Sequence, residues 1–217
     1  MTKKPIIFLH GYASCGGVVQ GKGKFFAGKF STHTNIDFHA IDFNPTAQDF
    51  QYHTITGMID RLRQYIIEHG IVQVNLIASS QGANVALNYA HRFGHVQQML
   101  LLAPELFYDS YSPEDKLQEW KEMVDAPVFH YGFQETMPLN YGHHQDGLRY
   151  VTTPSPPAPI TIIHGINDQA IPIERSRTYA ENYPKEVNLV EVESDHFLKD
   201  QHEQIWLETK KLWVNNE

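Results

Sequence analysis

Four short clusters hold the side chains with reactive potential. From Val74 to Arg92 the chain reads VNLIASSQGANVALNYAHR. Its apolar run stops at Ala78-Ser79-Ser80-Gln81-Gly82, and the helix-period residues Val85, Ala86 and Tyr89 begin at once. A strand, a tight turn and a helix in that order lift the turn residue out of the backbone in strained geometry. Small residues are then needed two before it and two after it, so that the helix can pass close to the strand. Ala78 and Gly82 supply them around Ser80, whose hydroxyl is therefore the candidate nucleophile. A plain strand-to-helix loop with a serine N-cap accounts for the same letters, and Ser79 would serve there as well as Ser80. The other clusters are His10-Gly11-Tyr12, His164-Gly165-Ile166-Asn167-Asp168 and Asp195-His196. Each follows a predicted strand. A neutral hydroxyl is a weak nucleophile that needs a base within hydrogen-bond reach, and imidazole suits that task because it titrates near neutral pH.

The elements that would position these clusters are legible from periodicity. Ile6 to Leu9 form a continuous apolar run, as in a central parallel strand buried on both faces. A long glycine-rich loop is expected next. Ile36 to Phe43 alternate, with Phe38, Ala40 and Asp42 on one face, and predict a strand nearer the sheet edge. Met58, Ile59, Leu62, Tyr65 and Ile66 recur at helical spacing before His69-Gly70, which is a helix stop. After the Ser80 turn and its helix, which ends at Gly94, Val96 to Leu102 predict another strand. Strand and helix alternate as in an open parallel sheet covered on both faces. From Pro104 to Pro159 that rhythm breaks. Phe107, Tyr108, Tyr111, Trp120, Phe129, Tyr131, Phe133, Tyr141 and Tyr150 lie there in no long periodic pattern, and a loop-rich, lid-like insertion is expected. Surface decoration that only shields the sheet edge is the alternative. Thr153 to Pro159 is a stiff proline-rich return. Ile160 to Ile163 predict a buried strand, Pro172 suits the first turn of a helix around Glu174 to Asn182, and Val187 to Val192 alternate as a final strand. A closing helix is expected to carry Phe197, Ile205, Leu212 and Trp213 to the sheet.

Composition narrows the functional classes. A chain of 217 residues suits one α/β core, and its net charge of -8 argues against a broad basic surface for nucleic acid or an anionic membrane. Cys15 is the only cysteine, so neither an intrachain disulfide nor a cysteine-based zinc cluster is possible. The apolar run behind the basic start, MTKKP, is too short for an export signal, and no run approaches a membrane span. The expected address is the cytoplasm and the expected partner a small molecule. Composition and pattern set no oligomeric state.

In an open parallel sheet the loops beyond the carboxyl ends of the strands meet along one edge, where ligands bind. All four clusters should gather there, in the chain order Ser, acid, His. At these residues the chain resembles the α/β-hydrolase superfamily, and its brevity is similar to that of compact bacterial carboxylesterases and thioesterases. The H-G after the first strand, the A-x-S-x-G turn, H-G-x-x-D-x-x-x-P and the final D-H stand in family order, although Ala78 takes the place of the first glycine. The family's initial antiparallel strands have no counterpart, which implies a pared-down sheet of about six strands. The resemblance implies one α/β-hydrolase domain over 1–217, with 104–159 as a lid-like insertion. It implies catalysis by Ser80, His196 as base and Asp168 as the carboxylate that holds the imidazole tautomer. It also implies an oxyanion hole from the backbone N–H groups of Tyr12 and Gln81, whose side chains are taken as incidental. No cofactor or metal is implied, and the expected reaction is hydrolysis of an ester or thioester with an apolar acyl group. Two other classes fit the same residues: a non-catalytic binding protein on this fold, and amide, lactone or carbon–carbon hydrolysis by the same triad.

Several motifs suggest other chemistry and are weaker. Gly16 to Gly23 approaches a phosphate-binding loop, but Gly23 stands where a magnesium-binding Ser or Thr is required. His143-His144 with Asp146 invites a metal, but without a third ligand at fixed spacing a wet loop is expected. Asp168 and His196 could be a turn-former and a helix-start residue. Asp195 is a rival acid, set back by its adjacency to His196. Cys15 is expected to be a small buried residue rather than a redox-sensitive thiol.

Overall fold

The computed structural model describes residues 3–107, 114–151 and 153–215. Strands β1 (Lys4–Leu9), β2 (Ile36–Ile41), β3 (Val74–Ser79), β4 (Val96–Leu102), β7 (Ile160–Gly165) and β8 (Val187–Val192) form one sheet, ordered β2-β1-β3-β4-β7-β8. Every neighbouring pair in it is parallel. From β1 the chain runs to the edge at β2 and returns to β3 on the other side of β1. The connections after β1 and β3 therefore diverge, and a crevice opens between their carboxyl ends.

Alternation along β1 divides the core. Ile6 and Phe8 face Phe26 and Phe30 of α1 (Gly21–Phe30) and Ile205 of α7 (His202–Thr209). Ile7 and Leu9 face α2 (Ile55–Glu68), α3 (Gln81–Phe93) and α6 (Glu174–Asn182), which contribute Leu62, Val85 and Tyr179. Thr54 caps α2 by accepting from the Gly57 amide at 3.0 Å. Trp213, in the π turn Lys210–Val214 that continues α7, donates from its indole N–H to Asn75 on β3.

Three expectations need correction. The glycine-rich stretch after β1 does not stay a loop: Gly21–Phe30 is helical although Gly21, Gly23 and Gly28 lower its intrinsic propensity. Burial of Phe26 and Phe30 at 0% and 4% exposure outweighs that propensity. The segment 104–159 is not loop-rich. It contains α4 (Glu114–Met123), an antiparallel hairpin of β5 (Asp125–His130) and β6 (Glu135–Asn140), and α5 (Gly142–Gly147). Its periodicity is obscured because α4 buries no residue and Pro127 sits opposite Pro138 in the hairpin. Tyr108 and Tyr111 lie outside the described residues. Phe197 does not ride on the closing helix. It precedes α7, is 40% exposed, and lines the cavity described below.

The segment is anchored over the carboxyl ends of the strands. The Tyr131 amide donates to the Ala13 carbonyl at 2.7 Å, and Trp120 Nε1 donates to Leu139 O, tying α4 to the hairpin. Asp146 on α5 accepts from both the amide and the hydroxyl of Thr56 on α2 at 2.7 Å. Among the described residues no helix is long and apolar enough to cross a membrane.

Candidate active site

Ser80 stands between β3 and α3 with φ 52 and ψ -121, a backbone conformation that costs energy for a residue with a side chain. Its hydroxyl makes no N-cap bond, so the plain capping role does not describe it. Its own geometry explains the small residues around it. A Cβ on Gly82 would stand 2.5 Å from His10 O and 2.7 Å from Leu9 O, so α3 can begin this close to the end of β1 only with glycine there. A Cβ on Gly11 would come within 3.0 Å of Ser80 Cβ, so the loop bearing Tyr12 also passes tightly over the serine.

The Ser80 hydroxyl lies 3.1 Å from His196 Nε2, and His196 Nδ1 lies 2.7 Å from Asp168 Oδ2. With Nδ1–H donating to the carboxylate, Nε2 keeps its lone pair for the serine proton. Asp168 is fixed on every side. Its Oδ1 accepts from the amides of Ala170 and Ile171 at 2.9 and 2.8 Å, and its Oδ2 also faces His164 Nε2 at 3.1 Å. Burial opposes the charge, yet the bonds from His164, His196 and the Ile171 amide outweigh it and hold the carboxyl well below the usual range. Asp195 does not compete: its Oδ1 accepts from the Phe197 amide and closes its own turn.

Sequence reasoning gave His164 no role beyond its motif. It is fully buried, receives the Ser176 hydroxyl on Nδ1 at 2.7 Å, and donates from Nε2 toward Asp168 and Ile171 O. Nor is the Gln81 side chain incidental. Its Oε1 faces His53 Nε2 and its Nε2 faces His143 Nε2, each at 3.2 Å, while His143 Nδ1 donates to His53 O at 2.9 Å. Burial presses the His53 and His143 imidazoles down to about 3 and about 4, so both rings are neutral hydrogen-bonding spacers. Through them the first residue of α3 is locked to α5. His143 and His144 are buried, so the expected wet loop is corrected to a packed one; His143 and Asp146 are committed to separate partners. No signal in the sequence ties His53 to His143, because 90 residues separate them.

Ser80, Gln81, Tyr12 and His196 line one cavity of about 1080 Å³. The inserted segment supplies Leu117, Trp120, Tyr131 and His143 to its wall, and α1 with its preceding loop supplies Lys22, Lys24 and Phe25. Gln81 heads α3, so its amide has no intrahelical acceptor. His10 is 2% exposed and structural: its Nδ1–H donates to Gly11 O and its Nε2 receives the Phe43 amide. Cys15 is half-buried rather than buried, packed under Gly132 at the cavity edge, and burial followed by the Asp42 charge pushes its thiol up. The phosphate-loop reading of Gly16 to Gly23 does not fit, since Gly16 is pressed against Ile41 O and Gly23 against Gly17 O.

Comparison with known proteins bears on the fold and the family. No sequence match is found among curated proteins. The mouse alpha/beta hydrolase domain-containing protein 10 superposes with a TM-score of 0.74 at 17% identity, over 98% of this chain and 91% of its own. A monoacylglycerol lipase from Paleococcus ferrophilus gives 0.76 at 12% identity, over 100% and 96%. Est1E from Butyrivibrio proteoclasticus gives 0.70 at 15% identity, over 99% and 88%. Such likenesses establish the α/β-hydrolase fold. The match that reaches further is to the family model described as Serine hydrolase (FSH1), over residues 43–205, which contain Ser80, Asp168 and His196. The chain belongs to the serine hydrolase (FSH1) family, within the α/β-hydrolase superfamily.

Proposed function

We propose that this protein cleaves a carboxylic ester or thioester through an acyl-Ser80 intermediate. The observation that carries the reading is the bond chain from Asp168 Oδ2 through His196 to Ser80 Oγ, with links of 2.7 and 3.1 Å, at a strained turn open to the cavity. His196 Nε2 takes the serine proton as Oγ attacks the carbonyl carbon. The oxygen that becomes negative is met by the amides of Tyr12 and Gln81. When the tetrahedral adduct collapses, His196 returns the proton to the leaving alcohol or thiol. Water then enters, gives its proton to the same nitrogen, and releases the acid and free Ser80. Asp168 stays ionised throughout and steadies the imidazolium in both halves.

The segment 104–159 serves as a cover that shapes the substrate site. Leu117, Trp120 and Tyr131 suit an apolar or aromatic portion of the substrate, an inference supported by their place in the cavity wall. An ester is favoured by the presence of a lipase among the structural neighbours. A non-catalytic binder would have no use for a positioned base beside a strained serine, and that disfavours it. The single half-buried thiol accords with a reducing cytoplasm.

Labelling with a fluorophosphonate tests the reading directly. Wild type should be modified on Ser80 alone, and Ser80→Ala should lose roughly four to six orders of magnitude on p-nitrophenyl esters or acyl-thioesters with its fold intact. Modification of Ser79 instead, or turnover surviving in Ser80→Ala, would overturn it.

A further inference from the structure

The chain carries 25 acidic against 17 basic residues, yet the cavity reverses that balance. Among its described lining residues are Lys22, Lys24 and Lys199, against Glu105 as the one carboxylate. None of these lysines forms an ion pair among the described residues. Lys22 is half-buried, and burial, followed by the Lys199 charge, draws its ammonium down to about 8, with Asp195 only partly offsetting them. Asp195 already receives the Phe197 amide. Nor does Glu105 neutralise the cluster, because burial pushes it up to about 7, with Gln81 and the Arg175 charge only partly offsetting that. Lys22 and Lys24 also sit in the first turn of α1, which has no acidic residue there and no side-chain cap from Gln20. Cations at that end oppose the helix dipole. Lys24 and Lys199, unlike Lys22, are exposed to solvent where they line the cavity, and two of the three like charges stand at the helix end that disfavours them.

An anion in the cavity would relieve each of these costs. We propose that the substrate carries an anionic group, a carboxylate or phosphate, bound by Lys22 and Lys199 at the α1 side, while Trp120 and Tyr131 hold its apolar part. This rests on the serine-hydrolase reading and adds the charge of the substrate to it. The aliphatic stems of the lysines and the Phe25 ring continue the apolar wall up to the ammonium groups. Such a site selects an amphipathic ester or thioester over a purely apolar one.

The test compares substrates matched in length. On the acyl side, mono-p-nitrophenyl adipate is set against p-nitrophenyl hexanoate. On the leaving side, the butyryl thioesters of 3-mercaptopropionate and of 2-mercaptoethyl phosphate are set against S-propyl thiobutyrate. At low salt at least one anionic member should exceed its neutral partner about tenfold in kcat/KM, a preference that shrinks as salt screens the pair. Lys22→Gln and Lys199→Gln should each cut that ratio about fivefold or more. Lys185→Gln, beside the amino end of β8, should leave it alone. Ratios at or below one in every pair, or ratios untouched by the cavity lysines, overturn the proposal. If fluorophosphonate labels Ser80 and neutral esters turn over, that failure belongs to the anion proposal alone. If nothing is hydrolysed or labelled, the serine-hydrolase reading fails, and calorimetry with adipate and with inorganic phosphate decides the anion site separately. Saturable binding weakened by Lys22→Gln supports it, and absent or unchanged binding overturns it.

Discussion

Replacing Asp168 by Asn tests the site more sharply than removing the serine, because it changes hydrogen-bond polarity and almost nothing else. Asp168 Oδ1 accepts from two amides, so the asparagine carbonyl is retained on that side. The new NH2 group then takes the place of Oδ2, facing His196 Nδ1 at 2.7 Å and His164 Nε2 at 3.1 Å. Two donors cannot share that contact. His164 keeps Ile171 O as an acceptor, but His196 can answer the NH2 only by presenting a lone pair from Nδ1. Its proton moves to Nε2, 3.1 Å from Ser80, and the base becomes a donor toward the hydroxyl it should deprotonate. The wrong tautomer together with loss of the carboxylate charge should lower kcat by about four orders of magnitude with little change in KM. That is about 5 kcal/mol of barrier at about 1.4 kcal/mol per decade. Steady-state kinetics give the magnitude, and nitrogen NMR of the His196 ring reads the tautomer independently. Asp195→Asn should cost far less, since that carboxylate accepts from the Phe197 amide in its own turn, while Asp168 is the one bonded to His196. A kcat for Asp168→Asn within about tenfold of wild type, or an unmoved ring proton, would refute the reasoning.

The remaining predictions concern stability. Gly82→Ala must push a methyl group into the backbone oxygens of Leu9 and His10, so thermal unfolding should show a loss of about 2 to 3 kcal/mol. Gly28→Ala, in α1 with open space around it, should instead gain about 0.5 kcal/mol or more, and equal effects of the two would remove close approach as the reason for glycine. For pH, the sign follows from three buried groups. Between about pH 6 and 5 the unfolded chain takes up protons on His53 and His143, which the fold holds at about 3 and about 4, whereas Glu105 at about 7 keeps when folded a proton it loses when unfolded. Net, the unfolded state binds one proton more, so stability should fall by about 1 kcal/mol over that unit, and by about 2 kcal/mol in Glu105→Gln. Denaturant titrations at the two pH values check this, and wild-type stability that is flat or rises on acidification would contradict it.

The local pattern of the chain determined what depends on near neighbours. Runs such as Ile6 to Leu9 and Leu76 to Ala78 are apolar on both faces because they are buried on both faces, and their alternation with helical periods points to a parallel sheet. The Ser80 turn is equally legible, since its strained backbone demands small residues at fixed offsets that any sequence must display. Chain order of Ser80, Asp168 and His196 follows from strand ends. What only the tertiary structure decided depends on residues far apart in sequence. Helix α1 forms against its own glycines because Phe26 and Phe30 find Phe8 and Phe38 beneath them. The hairpin and helices of 104–159 lack periodicity because α4 buries no residue, the hairpin rests on the short helix Ala47–Tyr52 and α5 rests on α2, so none of them lies between two core layers. His164 behind Asp168, and the His53–Gln81–His143 bridge, arise from hydrogen bonds whose partners carry no spacing rule. The placing of Lys22 and Lys199 around one cavity has the same origin: they are distant in sequence, and only the folded sheet brings helix α1 and the turn before α7 to the same cavity.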